Sequence, residues 1–428
     1  MKKTTILFLI ALISNILFSG CYDRIEIDDQ AYVMAIGLDK GKTNFLRMTL
    51  QIAVPSASGK SSLGSEEENG EGEGPKSVTT TTVETPAIYS GFNMVNTYIS
   101  KRLNFSHTKA LIFSSELAKE GISEYINAFY RGREFRNTMF IGVSTDSAED
   151  YIRKINYVLD VNPSKFYEET FYSYLYTSFN ANTHFFNFYS QAKCSCSSPV
   201  ATLVGVDKIG SLNAYSIEYS TFMEKERENY LEGDFTAGNI PKEYKNKTSM
   251  MGLAVFNGAK MVGELDGQET RYHLMLTGEY NYSYLTVPDP ESEGSFILLN
   301  VKQSRPPRHS VKMMGDTPII NARIFLEADI LSIQSGINYE HASKMHKLEI
   351  STEEFLEKDM MMLLQKISKD YRVDIVGFGK KIKGKFMTLD KWTEFDWKKK
   401  YPNADFDLVV DLKIRRPGLI IKTSPYES

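Results

Sequence analysis

The amino-acid sequence predicts an α+β protein in which mixed sheets pack with helices. Strand-like and helix-like segments alternate between residues 78 and 157, which is typical of a sheet with helices on its faces. Near the end of the chain, residues 318–333 and 406–414 alternate between apolar and polar side chains, as strands with one buried face do. The chain has 428 residues, of which 42% are hydrophobic and 24% charged, so its length suggests two or three domains.

The first half of the chain opens with a predicted hairpin. Residues 31–38 and 45–54 have the pattern of strands, and the charged, glycine-containing stretch between them predicts the turn. The threonine-rich residues 78–84 predict another strand. Thr85-Pro86 then predicts the N-cap and the first position of a helix that runs to about Lys101.

Strands and helices continue to alternate as far as residue 157. We predict strands at residues 108–113 and 138–144, and helices at residues 115–130, with a break at Gly121, and 148–157.

The aromatic-rich stretch at residues 164–190 is the next feature. In it Phe171, Tyr174, Leu175 and Phe179 recur at helical spacing, which predicts a helix packed on its own domain. A ligand-stacking face or a membrane-interface surface is the alternative interpretation.

The second half of the chain predicts a sheet covered by helices. Residues 250–263 predict a hairpin, and residues 266–275 a short helix. Residues 295–303, 310–314 and 318–333 predict strands of an antiparallel sheet with one buried face.

Two helices and a strand complete this second half. The capping box Ser351-Thr352-Glu353-Glu354 predicts the start of a helix whose Met-rich apolar stripe packs on the core. Residues 390–400 predict another helix, which carries Trp392 and Trp397, and residues 406–414 predict the closing strand.

Two segments with few apolar residues divide the chain. Residues 56–77 consist mainly of Ser, Gly and Glu, which predicts a disordered acidic loop that we interpret as a tolerated surface insertion rather than a docking element. Residues 206–248 include many charges with scattered Gly and Pro, and we predict that they form a linker. We therefore predict an N-terminal α+β region over residues 21–205 and a C-terminal α+β domain over residues 249–428.

The first twenty residues predict a lipoprotein signal peptide. Lys2-Lys3 precede an apolar stretch that is shorter than the about 20 residues a membrane-spanning helix needs. Leu17-Phe18-Ser19-Gly20-Cys21 resembles a bacterial lipobox, in which residues 1–20 are removed and the cysteine receives a diacylglycerol thioether. Cys21 is therefore the predicted lipidation site and the predicted membrane anchor. An ordinary secreted protein is the alternative.

Charge and motifs argue against several classes of function. A net charge of −4 gives no support to nucleic-acid binding, and no later segment has the 18 consecutive apolar residues typical of a membrane span. We find no nucleophile elbow, phosphate-binding loop or zinc-protease motif, and the six histidines are scattered. We therefore expect no enzymatic activity, no catalytic residue, no cofactor and no metal. Cys194 and Cys196 could bind a soft metal or form a bridge, but only His184 is near in sequence, and we predict loop cysteines without a role.

Several short motifs, in order along nearly the whole chain, resemble one family. They are Gly20-Cys21-Tyr22-Asp23-Arg24-Ile25-Glu26-Ile27-Asp28-Asp29, Ala35-Ile36-Gly37-Leu38-Asp39, His107-Thr108-Lys109-Ala110-Leu111-Ile112-Phe113, Arg133-Glu134-Phe135-Arg136, Gly252-Leu253-Ala254-Val255-Phe256, Val262-Gly263-Glu264-Leu265, Glu269-Thr270-Arg271, Asp374-Ile375-Val376-Gly377-Phe378-Gly379 and Trp392. The chain thus resembles the Ger(x)C family, the C-subunit lipoproteins of bacterial spore germinant receptors. It departs from the family pattern at Tyr22, where members usually have Trp, and in the acidic loop.

The resemblance implies an elongated body of about three α+β domains, two of them in the N-terminal region. It also implies a non-enzymatic subunit of a nutrient germinant receptor, lipid-anchored to the outer face of the spore inner membrane. This subunit would assemble with integral membrane A and B subunits to trigger germination. The family supplies no catalytic residues, and only Cys21 maps to a known chemical role. Direct contact with the germinant stays open.

Two other classes of protein remain as alternatives. A solute-binding lipoprotein of a transporter usually has two similar α/β lobes, but the second half shows no doubly wound series of strands and helices. A cell-envelope hydrolase would use paired carboxylates, which the sequence alone does not locate.

Overall fold

The computed structural model describes residues 26–54, 77–157, 162–207 and 231–416, together with residue 159 and, near the N-terminus, residues 3–6 and 8. The lipidation site Cys21 lies outside the described residues. So do most of the signal peptide, nearly all of the acidic loop and part of the linker. The predictions made for these segments therefore stay predictions.

Among the described residues, the N-terminal region is built on a nine-stranded mixed sheet. Its strands are β1 (Gln30–Lys40), β2 (Leu46–Ala53), β3 (Val78–Thr85), β4 (Arg102–Asn104), β5 (Ala110–Ser114), β6 (Phe140–Ser144), β7 (Val200–Val206), β8 (Thr248–Asn257) and β9 (Lys260–Leu265). Their order is β3-β2-β1-β5-β6-β7-β8-β9, with the short β4 paired to β1. The predicted strands and the β1–β2 hairpin are confirmed, whereas β4 was not predicted.

The strands in the middle of this sheet are parallel, so the two ends of the sheet can be distinguished by where these strands begin. Strands β1, β5, β6 and β7 pair in parallel, so all four begin at the same end of the sheet, which we call the entry end. The turn between β1 and β2, residues 41–45, lies at the opposite end. Strand β8 runs antiparallel to β7, so its last residues lie at the entry end.

Helices cover both faces of the sheet. They are α1 (Ile88–Asn96), α2 (Ser115–Glu120), α3 (Ser123–Arg131), α4 (Ala148–Lys154), α5 (Pro163–Phe171) and α6 (Phe185–Lys193). Strand β5 shows why two layers form, because Leu111 and Phe113 enter one hydrophobic core while Ala110 and Ile112 enter the other. Parallel strands covered on both faces are apolar throughout, as this strand is. The α+β class is confirmed.

Two helix predictions in this region need correction. Helix α1 starts at Ile88 rather than Pro86, because Thr85 ends β3 and its hydroxyl binds the carbonyl of Ala87 at 2.8 Å. The aromatic stretch does not form one helix across Phe171. Helix α5 ends there, where the amide of Asn180 donates to the carbonyl of Phe171 at 3.0 Å. The predicted break at Gly121 is confirmed. The backbone φ of Gly121 is 127°, a value that residues with a side chain rarely adopt.

A four-stranded sheet forms the centre of the C-terminal half. Its strands, in spatial order, are β10 (Tyr282–Pro288), β11 (Phe296–Met314), β12 (Thr317–Ile333) and β13 (Asp405–Arg416). The two strands predicted at 295–303 and 310–314 are one strand, whose register shifts between Gln303 and Arg308 where two prolines interrupt the pairing. The antiparallel sheet predicted for the first strands gains a parallel member, because β13 pairs in parallel with β12 after a long helical connection.

The C-terminal helices are α7 (Gly267–Thr277), α8 (Ala342–Gln365), α9 (Gly379–Lys383), α10 (Leu389–Phe395) and α11 (Trp397–Lys400). A capping box between Asp266 and Glu269 starts α7. The predicted capping box at Ser351 is wrong, because Ser351 lies inside α8. The predicted tryptophan helix is split at Asp396, whose φ of 48° ends α10.

Glutamates of α8 explain why that helix extends through the predicted start. Glu357, Glu353 and Glu349 lie one helical turn apart and accept the backbone N–H groups of Val410, Leu412 and Ile414 on β13 at 2.8, 2.8 and 3.0 Å. Strand β13 is the edge of its sheet, and these carboxylates bind its outward N–H groups. An edge covered in this way cannot add another strand.

Strand β8 joins the two halves. Ala254 and Phe256 pack in the core of the nine-stranded sheet, while Leu253 and Val255 pack with the C-terminal helices and sheet. The hairpin that we assigned to the C-terminal domain therefore pairs within the N-terminal sheet. The other predicted domain boundaries stay predictions.

Candidate functional site

The two cysteines before β7 are bonded to each other. Cys194 and Cys196 form a disulfide within a short loop, so of the two chemistries considered from the sequence the structure shows the bridge. His184, the nearest histidine in sequence, stacks on Phe140 with ring centroids 4.3 Å apart. Among the described residues, no group of three or more His, Cys, Asp or Glu side chains could hold a metal ion.

Next to this disulfide lies a buried carboxylate that the sequence analysis did not single out. Asp374 accepts hydrogen bonds from the backbone N–H groups of Gly377 and Phe378 through one oxygen, at 2.7 and 3.1 Å. Its other oxygen accepts from the N–H of Gly379 at 2.7 Å and from the indole of Trp397 at 3.0 Å. Burial raises the pKa of Asp374, while these donors act in the opposite direction. We call this arrangement the Asp374 nest.

The nest fastens the C-terminal half to the disulfide loop. The carbonyl of Asp374 accepts the N–H of Ser198 at 2.8 Å. The indole of Trp392 donates to the hydroxyl of Ser195 at 2.6 Å. Gly379 must be a glycine here, since a Cβ atom would lie 2.6 Å from the carbonyl oxygen of Cys196. The motif Asp374 to Gly379 therefore builds a joint between the two halves.

A second joint surrounds the buried Arg271 on α7. Its guanidinium lies over the ring of Phe179 at 4.1 Å and pairs with Glu232 at 2.8 Å. The neighbouring Tyr272 donates to Asp359 of α8 at 2.8 Å, and Glu269 pairs with Lys366 at 2.7 Å. These contacts connect the N-terminal region, the predicted linker and two C-terminal helices. The carboxylate and the aromatic ring together stabilise the buried positive charge of Arg271.

A cavity of about 1000 Å³ opens at the entry end of the nine-stranded sheet. Its charged or titratable lining groups are Asp28, Tyr32, Lys101 and His107. The ring of His107 packs edge-on against Tyr32 at 5.2 Å, and burial lowers its pKa. Among the described residues, no hydrogen bond or ion pair joins any two of these four groups, so the cavity presents no coupled acid–base pair.

Two further buried titratable groups are Asp39 and His273. Asp39 accepts the N–H groups of Ala148 and Glu149 at the start of α4, at 2.7 and 2.9 Å. Burial lowers the pKa of His273 to about 4, which holds this side chain neutral at physiological pH.

None of the helices in the described part of the chain has the length and apolar character that a membrane span requires.

Comparisons with known proteins match both halves of the chain. The family described as "Spore germination protein N-terminal domain" matches residues 23–206. The family described as "Spore germination B3/ GerAC like, C-terminal" matches residues 251–418. The two matches follow each other along the chain and together span most of it.

Relatives align over about three quarters of the chain or more. Spore germination protein KC of Bacillus subtilis is 24% identical over 98% of this chain and 97% of its own. Spore germination protein GerQC of Bacillus cereus is 20% identical over 74% of this chain and 76% of its own. The crystal structure of the GerBC protein superposes with a TM-score of 0.52 at 15% identity, covering 89% of this chain and 98% of that one, which shows the shared fold.

The order of motifs along the chain, the joints that these motifs build and the two family matches lead to the same conclusion. The chain belongs to the Ger(x)C family of spore germination proteins.

Proposed function

We propose that this protein is a non-enzymatic subunit of a nutrient germinant receptor, assembled with integral membrane A and B subunits. In this proposal a lipid on Cys21 anchors it to the outer face of the spore inner membrane. The observation that carries the proposal is the succession of two spore germination family matches along the chain.

The use of the buried charged groups supports an assembly role. Asp374, Arg271 and Asp39 have backbone or packing partners that fix loops and helices in place. A hydrolase would instead direct its carboxylates at a space for substrate and a water molecule. The motifs of the family thus contribute to the shape of a body that partners can bind.

The short N-terminal segment gives the anchor a geometric consequence. Eight residues lie between Cys21 and the start of β1 at Gln30, so the nine steps from one Cα to the next span at most about 30 Å when extended. A lipid on Cys21 would therefore hold the entry end of the nine-stranded sheet close to the bilayer. Each buried CH₂ of the acyl chains contributes about 0.8 kcal/mol to that attachment.

Substitution of the cysteine tests the anchor. We expect Cys21→Ala to leave the protein foldable but absent from spore membranes, and nutrient-triggered release of dipicolinic acid to be lost. Ser19→Ala is the matched control, because it keeps a small residue at that lipobox position and should retain both membrane attachment and germination. Fractionation of spore membranes followed by immunoblotting measures the first effect. Membrane retention and normal germination by Cys21→Ala would contradict the proposal.

Assembly is tested separately from anchoring. A tagged chain should co-purify the A and B subunits from detergent-solubilised spore membranes. Recovery of the lipid-modified chain without either subunit would leave the anchor intact and contradict the receptor assignment.

A further inference from the structure

A cluster of lysines follows the Asp374 nest. Residues 379–391 hold five lysines and a single acidic residue, Asp390, although the whole chain has a net charge of −4. They comprise α9, the turn after it and the start of α10, and we call them the lysine loop. The cluster is Lys380, Lys381, Lys383, Lys385 and Lys391. Its charge is opposite in sign to that of the protein as a whole.

The lysine loop also exposes large apolar side chains. Met387 is 91% exposed and Leu389 is 68% exposed, whereas Phe386, just before them, packs against Trp392 with ring centroids 5.4 Å apart. The end of β11 lies nearby, because Lys385 donates to the carbonyl of Val311 at 3.0 Å, and the last residue of this strand, Met314, is 69% exposed. Exposed apolar side chains grouped in this way are typical of a contact surface.

Three of the five lysines of the lysine loop are available to bind an anionic partner. Among the described residues, Lys381, Lys383 and Lys391 have no ion-pair partner, whereas the nearby Lys399 and Lys400 pair with Asp396 and Asp316. Unpaired lysines around exposed methionine and leucine fit the boundary between headgroups and acyl chains. There the lysines meet anionic phosphates and the apolar side chains enter the acyl region.

The position of the lysine loop agrees with a membrane contact. Gly379 and Trp392, at either end of the loop, contact Cys196 and Ser195, which precede β7. Strand β7 begins at the entry end, and so does β1, which the chain enters after Cys21. The lysine loop is therefore attached to the end of the molecule that the lipid would hold near the bilayer. This step rests on the anchor in the proposed function.

We propose that the lysine loop, together with Met314, is a second membrane contact that docks on a surface of anionic phospholipid. The lipid on Cys21 and the lysine loop would then fix the orientation of the body on the bilayer. An acidic protein surface is the competing occupant, and the test distinguishes it.

The test places an environment-sensitive dye on the loop. The lipid-modified full chain with Met387→Cys is labelled with a nitrobenzoxadiazole maleimide and reconstituted into vesicles. The native cysteines do not compete, because Cys194 and Cys196 are bonded and Cys21 carries the lipid. We expect a blue-shifted emission, and quenching by spin-labelled lipid, in vesicles with phosphatidylglycerol but not in vesicles of phosphatidylcholine alone.

Phe45 supplies the matched control. It is 77% exposed in the turn at the opposite end of the sheet, so the same dye on Phe45→Cys should stay in a water-like environment in both kinds of vesicle. Charge reversal at Lys381, Lys383 and Lys391 should abolish the signal at position 387. At about 1 kcal/mol per lysine, neutralising these three lysines alone corresponds to a roughly hundredfold weaker contact. Should the triple variant misfold, 0.5 M salt applied to the unreversed protein should reduce the same signal.

The outcomes separate this inference from the proposed function. If the vesicles are floated on a density gradient and the protein does not float with them, the proposed lipid anchor would be overturned. A protein that floats while the dye at position 387 stays water-like would overturn the lysine-loop contact alone. A blue shift that appears only after addition of the purified A and B subunits, without quenching by spin-labelled lipid, would assign the surface to a protein partner and equally overturn the proposal.

Discussion

Removal of the charge of Asp374 tests the joint between the two halves most directly. In the Asp374 nest each carboxylate oxygen accepts two hydrogen bonds, three of the four from backbone N–H groups and one from Trp397. Asp374→Asn keeps the size of the side chain but replaces one oxygen with an amide NH₂ group, which also donates. Two buried donors then lose their acceptor.

The magnitude follows from those two donors. A buried donor left without an acceptor costs about 1–3 kcal/mol, so Asp374→Asn should lower the free energy of unfolding by about 2–6 kcal/mol. The loss falls within the joint, because the carbonyl of Asp374 also accepts the N–H of Ser198. We therefore expect local opening around residues 374–379 and 194–198 before global unfolding.

Hydrogen–deuterium exchange resolves that local effect, and urea unfolding measures the total. Exchange at the amides of Gly377 and Gly379 should accelerate by at least tenfold in Asp374→Asn. The exposed Asp390→Asn is the matched control and should leave exchange and unfolding unchanged. Unchanged exchange at these two amides in Asp374→Asn would refute the assignment of the nest as the fastening element.

Two further predictions concern stability. The folded-state pKa of His273, about 4, lies below the unfolded value of about 6.5, so its contribution is complete above pH 6.5 and is lost as the pH falls towards 4. The wild type should lose about 2 kcal/mol more than His273→Leu between pH 7.5 and 5, measured by urea unfolding, and equal losses would disprove the assignment. Glu353→Ala removes the acceptor of the Leu412 N–H and should cost about 1.5–3 kcal/mol. Glu353→Gln should cost less than half of that and the exposed Glu354→Ala almost nothing, whereas equal unfolding curves for Glu353→Ala and Glu354→Ala would count against the covered edge.

Local patterns in the sequence predict most of the strands. The alternation in β12 and β13 places Ile324 and Leu412 inside and Arg323 and Lys413 outside, because side chains of a strand point alternately to its two faces. The helix start at Asp266 is equally local, since a capping box needs only residues three apart. Such features depend on neighbours in the chain, which the sequence displays directly.

Contacts between distant residues account for what the sequence analysis missed. The serine at position 351 resembles a helix start, but α8 continues through it. The face of α8 that carries Glu349, Glu353 and Glu357 binds the edge of β13, some sixty residues later in the chain. The spacing of these glutamates by four residues is visible in the sequence, although their partner is not. The parallel pairing of β13 was missed for the same reason.

The candidate site was only partly predictable. The lipidation of Cys21 depends on a short motif and stays a prediction, since that residue lies outside the described part of the chain. For Asp374 a local signal existed, because an aspartate followed by Gly377 and Gly379 is typical of a turn whose N–H groups surround an anion. The role of this turn as a joint depends on Ser198 and Cys196, which no local pattern connects to it.

Through the shared strand β8, the proposed anchor at Cys21 would be linked mechanically to the lysine loop. Because Leu253 and Phe256 pack in different cores, separation of the halves would expose apolar side chains of both. The Arg271 and Asp374 joints add buried polar contacts that would also lose their partners. The two halves should therefore move together, and a body held at Cys21 and at the lysine loop would present one fixed side to the integral membrane subunits. A rigid presentation of this kind requires no catalytic group, and it gives the motifs around Arg271 and Asp374 a physical reason to lie at joints.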